Sequence, residues 1–291
     1  MKRGATTDGL RAGVVGLGAI GGGVAVSLAR RGRTLAVHDI RADAAARLGG
    51  VPSVLPSAAA VAAASDVVMI AVLNAQQVRA VLEGPEGLLA SAHPGLVLVL
   101  LSTVSMDDLR QLVAVDSAAG VPMLDCGVTG GPDSASKGEL IAMLGGESAV
   151  AERVRPVLED WSECVQYMGP PGTGMAAKIA RNIIHFQIWR AGHEGALLAS
   201  RAGVDLARFV AVVARAATKP GSSPTIWMTE ESINPRGSWS ADQARMRLHV
   251  LELMKKDMEA ALSLAASVGV RLPSTEAAYH GGAEIFGLRE N

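Results

Sequence analysis

The residues Ala12-Gly-Val-Val-Gly-Leu-Gly-Ala-Ile-Gly21 (AGVVGLGAIG) indicate the fold of the first part of the chain. The first four of them lack polar alternation, which predicts a strand that is covered on both faces. The glycine-marked turn that follows leads into an apolar helix, which we expect to reach about Ala29. In such a turn Gly16 permits the tight bend, Gly18 lets the backbone approach a pyrophosphate, and Gly21 lets the helix pack closely on the strand.

A strand, a Gly-x-Gly-x-x-Gly turn and a helix in this order predict a dinucleotide site, with the phosphates at the N-terminus of the helix. A glycine turn that binds no ligand is the alternative interpretation. On the first interpretation, the cofactor contacts Gly16, Leu17, Gly18, Ala19, Ile20 and Gly21.

The type of cofactor is indicated by Asp39, which ends the second predicted strand. Its carboxylate can accept hydrogen bonds from the adenosine ribose hydroxyls and would repel a 2'-phosphate, which favours NAD. Arg41 leaves NADP open, because a guanidinium two residues further on can pair with the extra phosphate. The alternative for Arg41 is a solvated surface charge. We therefore expect NAD as the cofactor, with Asp39 and Arg41 at its ribose.

Apolar runs of the same kind recur along the first part of the chain. They cover residues 12–15, 35–38, 67–72, 96–101 and 122–126, and they alternate with alanine-rich helical patterns. This alternation predicts a doubly wound α/β sheet, the Rossmann type of domain. From residue 168 onward the pattern is helical, so we expect a dinucleotide-binding domain over 1–167 and an all-helical domain over 168–291.

Polar residues follow two of the predicted strands, at the edge where doubly wound sheets bind ligands. Leu73 and Asn74 follow the run at 67–72, and we expect both to contact the cofactor, although Asn74 would serve equally well as a helix cap. Ser102 and Thr103 follow the run at 96–101 and are predicted to contact substrate and cofactor, respectively. Ser105 begins a predicted capping box and is interpreted as structural.

A second glycine-marked loop follows the last of these strands, in Asp125-Cys-Gly-Val-Thr-Gly-Gly131. Thr129, Gly130 and Gly131 can present a hydroxyl and successive backbone N–H groups to an anion such as a carboxylate. An ordinary Gly-Gly turn is the alternative. Cys126 has no accompanying His/Asp pattern and is interpreted as a buried thiol rather than a nucleophile.

The sequence Pro171-Gly-Thr-Gly-Met-Ala-Ala-Lys-Ile-Ala-Arg-Asn182 predicts the start of a long helix over about 174–202. Lys178, Asn182 and His185 share one face of that helix. A lysine in an alanine-rich helix is usually a surface residue, so its place beside an asparagine needs a reason.

These blocks, taken in order, resemble the β-hydroxyacid dehydrogenase family, which includes 3-hydroxyisobutyrate dehydrogenases and tartronate semialdehyde reductases. The resemblance spans nearly the whole chain. It rests on residues 16–21, on 125–131 with Gly138, on 172–174 with Lys178 and Asn182, and on Lys256-Asp257. It implies a Rossmann domain, a long interdomain helix and an all-helical domain, with the active site between the domains.

The resemblance also implies roles for single residues. Lys178 would be the catalytic acid/base, Asn182 would orient the lysine or hold the substrate, and Lys256 would contact the cofactor or, alternatively, the substrate. Two departures from the family pattern affect specificity: Arg181 stands where many relatives have a second asparagine, and His249 stands where phenylalanine is frequent. We expect His249 to face a polar part of the substrate; the alternative is a histidine that only packs with its neighbours in a helix bundle. Many relatives also have serine in place of the threonine at 129.

Composition restricts the partners of the chain. Its 291 residues carry a formal net charge of -1, which offers no general attraction to nucleic acid or to an anionic membrane. Outside the glycine turn and its helix, no uninterrupted apolar run is long enough to span a bilayer. The chain has only two cysteines, Cys126 and Cys164, and the sequence therefore predicts a cytoplasmic protein. A single disulfide between these cysteines stays open. No residues have convincing metal-ligand spacing.

The expected partners are a small carboxylate substrate and further copies of the chain, as a homodimer or homotetramer. Small residues on the long helix, such as Ala191, Gly192, Gly195 and Ala196, favour close packing against another helix. Two other functions remain: an imine reductase-like enzyme, which usually lacks a lysine at position 178, and a non-catalytic dinucleotide-binding module.

Overall fold

The computed structural model describes residues 9–219, 223–233 and 239–288. The chain divides into two compact units, Met1–Asn182 and Ile183–Asn291. The domain boundary expected between residues 167 and 168 stays a prediction. The compact first unit extends to Asn182 because it includes the first turns of the helix that follows the last strand.

The first unit contains one seven-stranded sheet in the order β2-β1-β3-β4-β5-β6-β7. The strands are β1 Ala12–Val15, β2 Leu35–His38, β3 Val67–Ile70, β4 Val97–Leu100, β5 Met123–Thr129, β6 Leu140–Gly145 and β7 Ser162–Gly169. Neighbours are parallel except for β5 and β6, which are antiparallel. The predicted doubly wound sheet with a helical second part is confirmed.

Among the described residues, six α-helices cover the two faces of this sheet. They are α1 Ala19–Arg30, α2 Ala58–Ala64, α3 Ala75–Leu82, α4 Met106–Ala118, α5 Gly131–Lys137 and α6 Ser148–Leu158. Alternate residues of each strand face opposite sides: Val14 packs with α1, α5 and α6, whereas Val15 packs with α2, α3 and α4. Burial on both faces is why the strands read as uninterrupted apolar runs.

Strands β6 and β7 extend the sheet beyond the five apolar runs. β7 forms one edge, and most of its residues are exposed or half-buried. An edge strand covered on one side needs no continuous apolar run, which explains the weak sequence signal.

The second unit is helical throughout its described elements. The helix α7, Thr173–Arg201, begins in the first unit, and α8 Leu206–Ala216, α9 Glu230–Ile233, α10 Ala241–Ser267 and α11 Pro273–Ile285 follow it. Among the residues that the structure describes, no helix has the length and apolar character needed to cross a bilayer.

A buried carboxylate joins α7 to α11. Glu194 accepts hydrogen bonds from the backbone N–H of Ser274 (2.9 Å) and Thr275 (3.1 Å), and it pairs with Arg190 at 3.0 Å. Burial by itself would raise the pKa of Glu194, but these backbone hydrogen bonds outweigh it and lower the pKa. The N-terminal turn of α11 is therefore capped by an anion from another helix.

A buried arginine contacts the last residues that the structure describes. Arg247 on α10 stacks on Trp239, with 3.5 Å between the guanidinium carbon and the ring centroid, and donates to the carbonyl oxygen of Phe286 at 2.5 Å. Trp239 Nε1 donates to the carbonyl oxygen of Gly287 at 3.1 Å. These contacts fasten residues 286–287 to α10.

Candidate active site

The glycine turn has the close approaches that its sequence predicts. Gly16 has φ +89, and its N–H donates to the carbonyl oxygen of His38 at 2.9 Å. A Cβ on Gly21 would lie 1.9 Å from the carbonyl oxygen of Gly16, so only glycine permits this packing of α1 on β1. A Cβ on Gly18 would meet no described atom within 4 Å. Protein packing does not require Gly18 to be glycine, whereas the approach of a ligand would.

The N-terminus of α1 opens beside this turn. Gly18 is the capping residue, and no side chain of the described residues caps the helix. The first N–H groups of α1, in Ala19 and Ile20, are therefore available to an anion such as a pyrophosphate.

Asp39 binds the turn directly. Its carboxylate accepts hydrogen bonds from the backbone N–H of Leu17 at 2.7 Å and from the N–H of Arg41 at 3.0 Å, and the Arg41 side chain pairs with it at 3.1 Å. Burial would raise the pKa of Asp39, but the hydrogen bonds from Arg41 and Leu17 lower it below its ordinary value. Asp39 is thus ionised at neutral pH and paired with Arg41.

A cavity of about 630 Å³ lies next to the turn. Gly16, Gly18, Asp39 and Arg41 line one part of it. The remaining lining residues include Ile40, Leu73, Gln77, Val81 and residues 83–87. Ile40 is 93% exposed and Leu73 is 81% exposed. The cavity is therefore lined by two exposed apolar side chains as well as by the carboxylate of Asp39. This combination suits a flat, partly polar ligand such as a nucleoside.

The polar residues at the ends of β3 and β4 hold the local backbone. Asn74 Oδ1 accepts from the N–H of Gln77 at 2.9 Å and so caps α3. Ser102 is 6% exposed, and its hydroxyl accepts from Val72 N–H at 3.0 Å and donates to Val72 O at 2.7 Å. The cap is one of the two roles expected for Asn74. Cofactor and substrate contacts by Asn74 and Ser102 stay predictions.

Two neighbouring residues behave differently. Thr103 is exposed, and its cofactor contact also stays a prediction. The helix cap expected at Ser105 is confirmed, because its hydroxyl accepts from Asp108 N–H at 3.1 Å, and the same hydroxyl donates to the Asp108 carboxylate at 2.6 Å.

The second glycine loop joins β5 to α5. Thr129 is the last residue of β5 and is half-buried, while Gly130 and Gly131 have φ +127 and +82. Both φ values lie in the region that favours glycine. Cys126 on the same strand is fully buried, burial raises the pKa of its thiol, and both cysteines are free. Cys126 is therefore a packing residue, as predicted.

Helix α7 begins directly on strands β5 and β6. Asp125, 1% exposed, accepts hydrogen bonds from the N–H of Gly172 and the N–H of Met175, each at 2.7 Å. A Cβ on Gly174 would lie 2.5 Å from the carbonyl oxygens of Asp125 and Met143. This contact between sheet and helix gives a structural reason both for the glycines at the start of α7 and for the acidic residue within the apolar strand β5.

Lys178 lies one turn further along α7 and reaches back to β5. Its Nζ donates to the carbonyl oxygen of Val128 at 2.5 Å, immediately before Thr129. Burial of the ammonium, followed by the positive charge of Arg181, lowers the pKa of Lys178 from its ordinary value. Asn182 is half-buried one turn beyond Lys178. The structure thus brings a lysine with a lowered pKa to the predicted carboxylate loop.

Two predicted site residues lie on α10 in the second unit. His249 is exposed, and Lys256 Nζ is 3.3 Å from the carboxylate of Asp257. Their roles at the cofactor or substrate stay predictions. Sequence analysis gave no role to Asp125 or to the carbonyl of Val128. For Asp125 the available signal was an acidic residue within an apolar strand. The carbonyl of Val128 is a backbone acceptor, and a backbone acceptor has no sequence signal.

Comparisons with known proteins cover both parts of the chain. Residues 11–169 match the family model described as the NAD binding domain of 6-phosphogluconate dehydrogenase. Residues 172–281 match the model described as NAD-binding of NADP-dependent 3-hydroxyisobutyrate dehydrogenase. The chain is 32% identical over 274 residues to 2-hydroxy-3-oxopropionate reductase of Escherichia coli K12, covering 91% of this chain and 88% of that protein.

Solved structures share the architecture. A crystal structure from Mycobacterium avium 104 has a TM-score of 0.85 and 33% identity, and covers 97% of this chain and 100% of that one. The imine reductase of Streptomyces aurantiacus has a TM-score of 0.77 and 21% identity, with 95% of each chain covered. At that identity the likeness concerns the fold alone.

Proposed function

The chain belongs to the β-hydroxyacid dehydrogenase family, and on that premise we propose that it transfers a hydride between a nicotinamide cofactor and a small β-hydroxy acid or its semialdehyde. Lys178 is the general acid/base. The observation that carries this proposal is the half-buried Lys178 Nζ, 2.5 Å from Val128 O and next to the Thr129-Gly130-Gly131 loop.

Lysine suits the proton transfer that accompanies hydride transfer. A nicotinamide cofactor held at this site would supply the hydride chemistry, as acceptor in oxidation of the alcohol and as donor in the reverse direction. In oxidation, neutral Lys178 Nζ removes the hydroxyl proton of the substrate, and in reduction the ammonium returns it. An amine must be neutral to act as a base, so the lowered pKa of Lys178 supports this role.

The residues of the β5–α5 loop fit a carboxylate. Thr129 offers a hydroxyl, and Gly130 and Gly131 offer backbone N–H groups without a side chain in the way. Asn182 would hold the substrate or orient Lys178, and Ser102 would act by fixing the backbone at Val72. Substrate contact by His249 and cofactor contact by Lys256 are supported by the sequence alone.

We infer that NAD is the cofactor. The glycine turn and the uncapped start of α1 fit a pyrophosphate, and the cavity beside Asp39 fits an adenosine. Asp39 favours NAD because its ionised carboxylate disfavours a 2'-phosphate. Arg41, 60% exposed, keeps NADP as the alternative, since an exposed guanidinium can pair with a phosphate as well as with Asp39.

The two other functions have less support. The imine reductase alternative is supported by a shared fold only, and Lys178 argues against it. A non-catalytic dinucleotide module would have no use for a lysine that is partly desolvated beside a carboxylate loop, because desolvation of an amine is costly.

Self-association through the second unit is part of the proposal. No residue of helix α8 is fully buried within the chain, and its apolar residues Val210, Val212 and Val213 are 53%, 67% and 48% exposed. On α7, Phe186 and Trp189 are 56% and 62% exposed. Apolar exposure of this extent favours burial against a second copy of the chain. Light scattering should give a dimer or tetramer at micromolar concentration; a monomer would contradict self-association.

The experiment that tests the proposed activity is an absorbance screen for cofactor reduction. Candidate β-hydroxy acids, including 3-hydroxyisobutyrate and glycerate, are supplied with NAD and with NADP in parallel, and cyclic imines with the reduced cofactors. Turnover of a β-hydroxy acid with NAD is expected. Turnover of imines alone, or tight cofactor binding without any turnover, would favour one of the alternatives.

A further inference from the structure

The side chain of Asp125, on strand β5, caps the start of helix α7 by accepting hydrogen bonds from two of its backbone N–H groups. A capping box uses the side chains of two residues, N-cap and N3, to satisfy each other's backbone N–H. In α7 these positions are Gly172 and Met175, which have no side-chain acceptor. Asp125, 47 residues before Gly172, accepts both N–H groups through its two carboxylate oxygens.

The remote cap also determines where α7 lies. Gly145 and Gly174 let the helix start touch the strands, since a Cβ on Gly145 would lie 2.6 Å from the backbone nitrogen of Gly174. A local cap would satisfy the same N–H groups but would not hold the helix to β5. Asp125 does both, because it belongs to the strand.

The same strand receives Lys178. Asp125 binds the first turn of α7, and Val128, three residues further along β5, accepts from Lys178 Nζ at 2.5 Å. A Cβ on Gly127, between them, would lie 2.3 Å from the Cβ of Lys178. The lysine is thus held at its backbone end through Asp125 and at its Nζ end through Val128.

We propose that Asp125 is a positioning residue for Lys178, which fixes the first turn of α7 on β5 so that Nζ stays beside the Thr129-Gly130-Gly131 loop. This inference rests on the proposed function, in which Lys178 transfers the proton. Asp125 is 1% exposed and both of its carboxylate oxygens are bonded to α7, so the proposal gives it no contact with a reacting atom. Its effect should therefore appear in kcat and in the pH profile rather than in binding.

The test replaces Asp125 with asparagine, which keeps the shape but turns an NH₂ group toward one of the two N–H donors. With NAD and 3-hydroxyisobutyrate or glycerate, kcat should fall by on the order of ten- to a hundredfold, the range that a misplaced catalytic group costs. KM for the acid and Kd for NAD should change by less than about threefold, below the tenfold that 1.4 kcal/mol represents.

The pH profile separates positioning from general damage. Burial lowers the pKa of Lys178, so a loosened α7 that lets Nζ reach water should raise it. In the oxidation direction, the rise of kcat with pH should move to higher pH in Asp125→Asn. Ser105→Ala, which removes the cap of α4, is the matched control and should leave kcat and the profile unchanged.

Three outcomes would overturn the inference: wild-type kcat in folded Asp125→Asn, a loss that appears only in KM, or an equal loss in Ser105→Ala. If Asp125→Asn does not fold, hydrogen exchange of the wild-type protein decides. The amides of Gly172 and Met175 should then exchange as slowly as those of β5, and fast exchange would contradict the inference. Wild-type turnover in Lys178→Ala would instead contradict the proposed function itself.

Discussion

The Nζ of Lys178 lies 2.5 Å from the carbonyl oxygen of Val128. The lysine of α7 therefore contacts strand β5 next to the loop that is predicted to bind the substrate carboxylate. A carbonyl accepts from the charged or the neutral amine, which leaves the lysine able to change protonation state in place. Burial and Arg181 both favour the neutral form.

Arg181 should tune the pH dependence of the reaction. Its positive charge contributes to the lowered pKa of Lys178, so Arg181→Gln should raise that pKa. In the oxidation direction, where neutral lysine is needed, the rise of kcat should then occur at higher pH. The pH–rate profile measures this. Arg110→Gln, on the exposed face of α4, is the control; an unmoved profile in Arg181→Gln would count against the electrostatic coupling.

Asp39 should control cofactor affinity. Asp39→Ala removes the acceptor of Leu17 N–H and the proposed ribose ligand, so Kd for NAD should rise by about tenfold or more. The ratio of NADP to NAD affinity should also rise, because the repulsion of a 2'-phosphate is lost and Arg41 becomes free. Fluorescence titration with both cofactors checks this. Asp43→Ala serves as control, and unchanged NAD affinity in Asp39→Ala would refute the role.

Glu194 should stabilise the start of α11. Glu194→Gln removes the charge and one of the two acceptor oxygens, and we expect a loss of about 1 to 2 kcal/mol in the local stability of α11. Hydrogen exchange of the α11 amides measures that loss. Glu252→Gln, an exposed change on α10, should leave the exchange unaltered.

The same carboxylate gives a pH dependence with a definite sign. The pKa of Glu194 is lower in the folded chain than its ordinary value of about 4.3. Its contribution is therefore complete above the unfolded-state pKa and is lost as the pH falls through the folded-state pKa. The difference between wild type and Glu194→Gln should shrink in acid. A difference that grew in acid would mean that Glu194 is not held as an anion.

The parts of the fold that sequence predicted are those with a local signature. The strand, turn and helix of residues 12–30 follow from apolar periodicity and three glycines, and the cap at Ser105 follows from its spacing to Asp108. The remote cap by Asp125 could not be predicted in this way. It joins residues 47 apart, and which helix start a buried acid meets is decided by tertiary packing.

The candidate site shows the same limit. Lys178 and the Thr129-Gly130-Gly131 loop were predicted from motifs, but their contact runs through Val128 O, and a backbone carbonyl has no sequence signal. Ser102 was predicted to bind substrate because it follows a strand. The structure shows its hydroxyl bonded to both polar groups of the Val72 backbone, a partner that strand pairing alone determines.

The most direct test of the account is the turnover of Lys178→Ala, measured with NAD and the β-hydroxy acid that the screen identifies. Loss of a general acid/base should lower kcat by about 10²- to 10⁴-fold, while Kd for NAD stays nearly unchanged. Lys219→Ala, an exposed lysine of the second unit, should keep wild-type kcat. A Lys178→Ala variant with near-wild-type kcat would contradict the central claim that this lysine carries the proton.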